Sequence, residues 1–461
     1  MEYTSLSGPG GFVDEKGYPR VQTVTVESHT GNWRDFLLRH EGELLQLHCD
    51  DSMWQCERAL FHRMTDERAL FFGFTATDRK HPEYLDEYNQ LPYSDDEKLG
   101  IKWNTARSLR DDLRKGRYTP EKPREISIPK AAGGYRRIHE FSYGDAAVQR
   151  ACLAVLHPLF DPTLTNVCHG GRTGFGLWSA RKQLIDAYEE SASPYLIVED
   201  LKGAFDNVPI GRLIQIAEMR LKDKEAINLL KVILARQPRK RKTRGISQGS
   251  PLSPLLLNIY VNHLIDQKIS KGDEVITAVR YLDDFAILCT DRKKLTSTYW
   301  RLAASIKNAG FRPKHGKRLA CHDLRSRKAT WLGQDLWIEN GELKFRVREE
   351  SWEWFDRRLP RYLERIRPGQ HPSQGVKGWI NGVLANTEEE IIPLRMRLMG
   401  ILKKHHIDIA TTDVERWIDT AKERWRTYLS ATSDLRYKSY VRNALSRKER
   451  RYDWTSTNSG S

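Results

Sequence analysis

Residues 275–288 read VITAVRYLDDFAIL. Two apolar, β-branched runs flank a tight turn that carries two adjacent carboxylates, Asp283 and Asp284, so the stretch is expected to fold as a hairpin. An Asp-Asp pair in a turn is ordinary turn chemistry when it stands alone. Here it does not. Upstream, YLIVEDL (residues 195–201) is a second short strand that places Asp200 near its end, with Phe205 and Asp206 just beyond. A carboxylate leaving one buried strand and a pair on a neighbouring hairpin can meet at one point. Two Mg²⁺ ions held about 3.5 to 4 Å apart by such carboxylates, with Mn²⁺ as a substitute, would activate an attacking hydroxyl and steady a leaving pyrophosphate. That chemistry is nucleotidyl transfer.

Between the two strands lies GISQGSPLSPLLLNIY (residues 245–260). The order Asp200 with Phe205-Asp206, then SQG, then YLDD resembles the reverse transcriptases, most closely those of the group II intron type. The resemblance implies an α+β right-hand polymerase: fingers, a palm built on an antiparallel sheet, and a helical thumb. It makes Asp200, Asp283 and Asp284 the metal-binding catalytic aspartates and puts Gln248, with Gly249, against the incoming nucleotide and template. ISIPK (126–130) and GYRRI (134–138) are similar to the fingers, where Lys130 and Arg136 would clamp the triphosphate. Cations suit that position because the transition state spreads negative charge over phosphate oxygens. Phe205 stands at the family's steric gate, which implies deoxynucleotides. Downstream, Lys317 matches a lysine that would protonate pyrophosphate. Trp331-Leu332-Gly333 is similar to the primer grip, and KGWIN (377–381) to a turn in the thumb.

The likeness covers about residues 100–385 and includes departures. The hairpin has Leu282 where Ala is usual, the loop reads SQG for PQG, and HGGRTGFG (169–176) is looser than the family's block. No metal ligand is lost. The resemblance implies a divergent branch, without the Cys/His-rich endonuclease domain of many intron proteins, for which retrohoming by target cleavage is not expected. The expected division is an acidic, mainly helical extension over 1–100, fingers over 101–195, palm over 196–343, and thumb with a basic C-terminal segment over 344–461.

Charge follows this division. The chain of 461 residues has 76 Lys and Arg against 61 Asp and Glu, a net +15. Residues 1–100 hold 10 basic and 19 acidic side chains, net −9, so the remainder carries +24. A basic body implies an anionic partner, and an acidic leader is expected to dock on protein instead. RQPRKRKTR (236–244), with Arg239, Lys240 and Arg241 at its centre, lies just before the SQG loop and is expected to track primer or template phosphates. A second basic stripe with tyrosines, Tyr437–Tyr452, suits single strands or structured RNA.

At 39% hydrophobic and 30% charged, the composition excludes a wholly disordered or collagen-like chain. No apolar run is long enough to cross a bilayer and the start lacks the order of a signal peptide, so no membrane partner and a cytoplasmic location are expected. Six cysteines without CxxC spacing fit a reducing compartment, and His48, Cys49, Cys56 and His62 match no common zinc spacing. The partners implied are an RNA template, including a dedicated non-coding RNA, a DNA product and dNTPs, with oligomeric state open. Two other classes share the pattern. An RNA-dependent RNA polymerase would use the same palm, but Phe205 and YLDD count against it. A catalytically silent RNA-binding protein would not need three unpaired acids in one place. A stand-alone divergent enzyme of this type fits antiphage defence, with a retron or a mobile intron as the alternative roles.

Overall fold

The computed structural model describes residues 2–5, 22–25, 60–80, 95–129, 134–172, 175–237, 243–270, 275–363 and 373–430. The expected hairpin is present as β6 (Val275–Tyr281) and β7 (Asp284–Cys289), in a four-stranded antiparallel sheet of order β6-β7-β5-β8, with β5 at Tyr195–Asp200 and β8 at Cys321–Asp323. Strand β5 is buried on both faces, which is why its sequence is a continuous apolar run without alternation. Leu196 and Val198 pack on one side with helix α5 (Leu177–Ser191), whereas Ile197 packs on the other with helices α9 (Ser253–Val261) and α11 (Arg292–Asn308). Helix α9 follows the SQG loop. Pro254 sits in its first turn, and Leu255 to Val261 are buried all round, as expected of a helix running through a core.

Before the palm come two short strands, β1 (Glu2–Ser5) and β2 (Gln22–Thr25), and helices α1 (Leu60–Met64), α2 (Glu67–Lys80) and α3 (Asp95–Arg114). The fingers hairpin, β3 (Arg124–Pro129) with β4 (Tyr135–Glu140), leads into α4 (Tyr143–Phe160), which packs along α2. Between β5 and α9 run α6 (Ala204–Asn207), α7 (Ile210–Arg220) and α8 (Lys224–Ala235). After α9, a π-helical turn (Asn262–Asp266) precedes the one-turn α10 (Gln267–Ile269).

Downstream of the palm, α12 (Lys317–Ala320) leads into β8, and a second antiparallel sheet forms from β9 (Ala329–Trp331), β10 (Gln334–Glu339) and β11 (Glu342–Val347). The thumb is α13 (Glu349–Leu363), α14 (Ser373–Trp379), a second π-helical turn (Ile380–Leu384), α15 (Ile391–Lys404) and α16 (Thr411–Ser430). It has its own core, in which the ring of Phe355 stacks on Trp379 with centroids 4.3 Å apart. Trp352, Phe355 and Leu359, at helical spacing in the sequence, form this core's face, and Pro360 does not end the helix. Among the described residues, no helix is long and apolar enough to cross a membrane.

Some boundaries differ from the sequence reading. The sequence predicts a helix over 104–115 capped by Asn104, but the helix begins at Asp95, because the apolar stripe already starts at the buried Ile101 and Asn104 is a mid-helix residue. A division near residue 100 therefore falls inside α3, and one at 343 falls inside β11. The sequence also reads as helical from Asn32 onward, but that stretch, with His48, Cys49 and Cys56, lies outside the described residues.

One ion pair fixes the hairpin to the body. Arg280 and Asp266 are both fully buried, and the guanidinium donates to the carboxylate at 2.6 to 3.0 Å. Burial alone would lower the Arg280 pKa, but the Asp266 charge outweighs it and raises the group above its ordinary range. Removing one partner of such a pair strands a charge in the interior. Asp266→Ala is expected to lower the unfolding free energy in a denaturant titration by about 3–5 kcal/mol, and Arg280→Met combined with Asp266→Leu to recover a large part of that loss.

Candidate nucleotidyl-transfer site

Strand register brings the carboxylates together. Asp200 lies opposite Asp284 in the β5–β7 ladder, and the amide of Leu201 donates to the carbonyl of Asp283 at 3.0 Å. Burial, then the charge of Asp200, raises the Asp283 carboxyl above the usual range. For Asp284, burial followed by the charges of Asp283 and Asp200 pushes the carboxyl up to about 8. Asp283 thus feels the charge of Asp200, and Asp284 that of both. Among the described residues the cation in direct contact with them is Lys314, whose Nζ donates to Asp200 Oδ2 at 2.8 Å. Burial opposes its charge, but the Asp200 hydrogen bond and the three aspartates raise its pKa.

The turn that presents these acids is strained and braced. Leu282 has φ +58°, a left-handed conformation that costs a non-glycine residue about 1–2 kcal/mol. Its carbonyl accepts from Arg280 Nη1 at 2.7 Å, and the same nitrogen donates to Asn258 Oδ1 at 2.9 Å. Asn258 Nδ2 in turn donates to the carbonyl of Gly170 at 2.8 Å. The HGG segment lies directly under the turn: the His169 amide donates to the Arg280 carbonyl, and a Cβ at Gly170 would meet the Leu282 nitrogen at 2.5 Å. Leu282 in place of the usual Ala and HGG in place of the usual block are therefore in contact with each other.

Glu199, next to Asp200 but on the opposite face of β5, is fully buried. Its Oε1 accepts from the amides of Asp200 (2.9 Å), Lys314 (3.0 Å) and His315 (2.8 Å), clamping the Lys314 loop to the catalytic strand. Burial raises its pKa, and these amide hydrogen bonds work against the rise. Glu199, Lys314, Arg280 and Asp266 were all missed by motif reading. A buried acid inside an apolar strand, YLIVEDL, was the available signal for Glu199.

The other expected residues gather around this cluster to differing degrees. The SQG loop joins palm to fingers, because the His139 amide donates to the Gln248 carbonyl at 2.7 Å and Gly249, at φ +108°, lies so close that a Cβ would meet the His139 carbonyl at 2.2 Å. The amide of Ile246 donates to the Phe205 carbonyl at 2.8 Å, and the Phe205 ring is half-buried against the main core. Arg136 is exposed on β4, and its charge lowers the Asp283 pKa against the rise from burial. Trp331 is buried at the end of β9, and Leu332 (φ +49°) with Gly333 (φ +79°) makes the turn into β10. Lys317 opens α12, one turn beyond Lys314, and it is Lys314 that reaches the carboxylates. Lys130, Arg239, Lys240 and Arg241 lie outside the described residues.

Among the described residues, no three His, Cys, Asp or Glu side chains are arranged as a ready metal cage. That is compatible with Mg²⁺, which is usually held by one or two carboxylates together with substrate phosphates rather than by an all-protein cage. Three hard carboxylates, two of them with raised pKa values and a single lysine paired to the third, form a donor set short of positive charge.

Comparison with known proteins agrees with this geometry. The reverse transcriptase (RNA-dependent DNA polymerase) family profile matches residues 128–336. The chain is similar to the 91 kDa protein in the cob intron of Schizosaccharomyces pombe, at 32% identity over 152 residues, which is 32% of this chain and 18% of that protein. It is 29% identical over 207 residues to the COX1/OXI3 intron 2 protein of Saccharomyces cerevisiae, covering 44% and 23% of the two chains. To the group II intron-encoded protein LtrA of Lactococcus lactis subsp. cremoris it is 28% identical over 176 residues, covering 37% and 29%. The chain spans less than a third of the length of each of these relatives. The carboxylate cluster, the SQG loop and the fingers arginine all fall inside residues 128–336, the span that matches the reverse transcriptase profile and resembles group II intron-encoded proteins.

Proposed function

We propose that the protein is an RNA-directed DNA polymerase that copies an RNA template into DNA from dNTPs. The observation that carries this reading is the register pairing of Asp200 with Asp284, which sets three carboxylates at one strand end beside the SQG loop. Asp200, Asp283 and Asp284 would hold two Mg²⁺ ions, or Mn²⁺ on the same oxygen donors. When bound, these would supply the Lewis acidity that makes a primer hydroxyl nucleophilic and neutralises the leaving pyrophosphate.

The chain's own groups do the rest. Arg136, from the fingers, is placed to orient a triphosphate against the carboxylates, with Lys130 proposed beside it. Lys314 balances the acids before a nucleotide arrives. Lys317 Nζ is the proposed proton donor to pyrophosphate. Gln248 and Gly249 form the backbone shelf between nucleotide and template, and Phe205 is the proposed gate against a ribose 2′-hydroxyl. Template and primer would run along Trp331, Leu332 and Gly333 and the basic run through Arg239, Lys240 and Arg241. The departures in YLDD, SQG and HGG support a branch separate from mobile introns, and a role with a dedicated non-coding RNA in antiphage defence.

In primer extension with Mg²⁺, Asp283→Ala with Asp284→Ala is expected to abolish incorporation at unchanged RNA affinity. Retained synthesis would sink the assignment. Cells expressing the wild type are expected to resist phage plaquing and the double variant to lose that resistance, and sequencing of co-purified RNA should return one dominant transcript. Phe205→Val is expected to raise ribonucleotide over deoxynucleotide use by tenfold or more in competition assays, whereas efficient ribonucleotide use by the wild type would favour an RNA polymerase. Gly249→Ala, with a Cβ driven into the His139 carbonyl, is expected to raise the KM for dNTP at least tenfold.

A further inference from the structure

The thumb meets the palm through a buried arginine. Arg181, on α5, is 1% exposed, and no carboxylate among the described residues pairs with it. Its Nη1 donates to the carbonyl of Gly382 at 3.0 Å and to Asn386 Oδ1 at 2.8 Å, and its Nη2 reaches the carbonyl of Leu332 at 3.4 Å. Gln334, one residue past that turn, exchanges hydrogen bonds with Asn386 at 3.1 Å and donates to the carbonyl of Val383 at 3.0 Å. Trp178, one turn earlier on α5, donates its indole N–H to the carbonyl of Asn381 at 2.8 Å. Three successive carbonyls, 381 to 383, are thus each taken by a side chain from outside the thumb. They belong to the π-helical turn, where widening of the helix frees carbonyls from its own ladder.

A buried guanidinium without a counter-ion is costly, and an apolar residue would fill the same space. Burial pulls the Arg181 pKa down to about 9, a measure of that cost. Its chemistry must therefore serve geometry: one planar fork spans the primer-grip turn and the thumb's π-helical turn.

We propose that Arg181, with Gln334 and Asn386, is a positioning lock that couples the angle of the thumb to the turn Trp331–Gly333, so that neither moves without the other. The lock rests on the polymerase reading for its purpose but not for its existence. Arg181 touches no substrate. Its loss acts on where the primer terminus sits and how long the duplex is held.

Hydrogen exchange and primer extension on the full chain test it together. In Arg181→Met, amide exchange is expected to rise at least tenfold in both 331–334 and 380–386, with α5 itself unchanged. The KM for primed template should rise at least tenfold and products should shorten, while single-nucleotide addition at saturating primer changes less than threefold. Arg181→Lys, which keeps the charge and one bond, should recover part of both effects, and Gln334→Leu should reproduce the paired exchange signature. Exchange that rises in only one of the two segments, or an unchanged primer KM, overturns the lock. Should Arg181→Met fail to fold, Gln334→Leu and Arg181→Lys decide by the same criteria. If the wild type extends no primer, the polymerase reading fails, while paired exchange still establishes the coupling and unpaired exchange still overturns it.

Discussion

Three like charges held at the end of one strand pair are the constraint around which the palm is built. Burial pushes Asp283 and Asp284 toward their neutral forms, as do the charge of Asp200 on Asp283 and the charges of Asp283 and Asp200 on Asp284, so the fold must hold together groups that repel. It does so with rigid elements. The β5–β7 register places Asp200 against Asp284, the buried Arg280–Asp266 pair fixes the hairpin from below, and Glu199 ties the Lys314 loop to the catalytic strand. None of these bracing groups faces the site. Their work is to prevent relaxation, because a carboxylate cluster that could spread would lose the charge density that attracts divalent cations.

Electrostatics also explains why cations reach the cluster from two directions. Lys314 comes from the palm and contacts Asp200 directly, whereas Arg136 comes from the fingers and acts on Asp283 through space. Both counter a raised carboxylate pKa. The net charge of +15 is thus not only a coat for nucleic acid: a small part of it is committed to the acids themselves.

The hairpin and β5 were legible in the sequence because each is a local pattern, an apolar, β-branched run bounded by turn residues. The three acids were legible because each ends such a pattern. What bound them together was not. Arg280 and Asp266 are 14 residues apart, and Glu199 and Lys314 115 apart, so no spacing rule joins them. Lys314, three residues before the lysine singled out by motif position, was likewise invisible until loop geometry brought it to Asp200. The HGG block was read as a loose match until its glycine proved to make room for Leu282.

Two places in the fold repeat one device. Leu282 in the turn that carries Asp283 and Asp284 and Leu332 in the turn from β9 to β10 are both leucines in the left-handed region. In each case a buried arginine donates to the strained residue's carbonyl, Arg280 to Leu282 and Arg181 to Leu332. In each case the same arginine also engages a π-helical turn, Arg280 through Asp266 and Arg181 through the Gly382 carbonyl. Strained turns persist only where the surroundings over-determine them. A π-helical turn suits that purpose because it breaks the helix's own hydrogen-bond ladder and turns a partner toward the interior. The two arginines differ in one respect that sets their roles apart. Arg280 meets a full counter-charge, so its turn is fixed, whereas Arg181 meets only carbonyl and amide oxygens. Those neutral bonds can be exchanged for others at lower cost than a buried ion pair can be broken. The turn that carries Asp283 and Asp284 is thus anchored where motion would scatter the acids, and the β9–β10 turn is held by contacts that let the thumb and the turn shift as one.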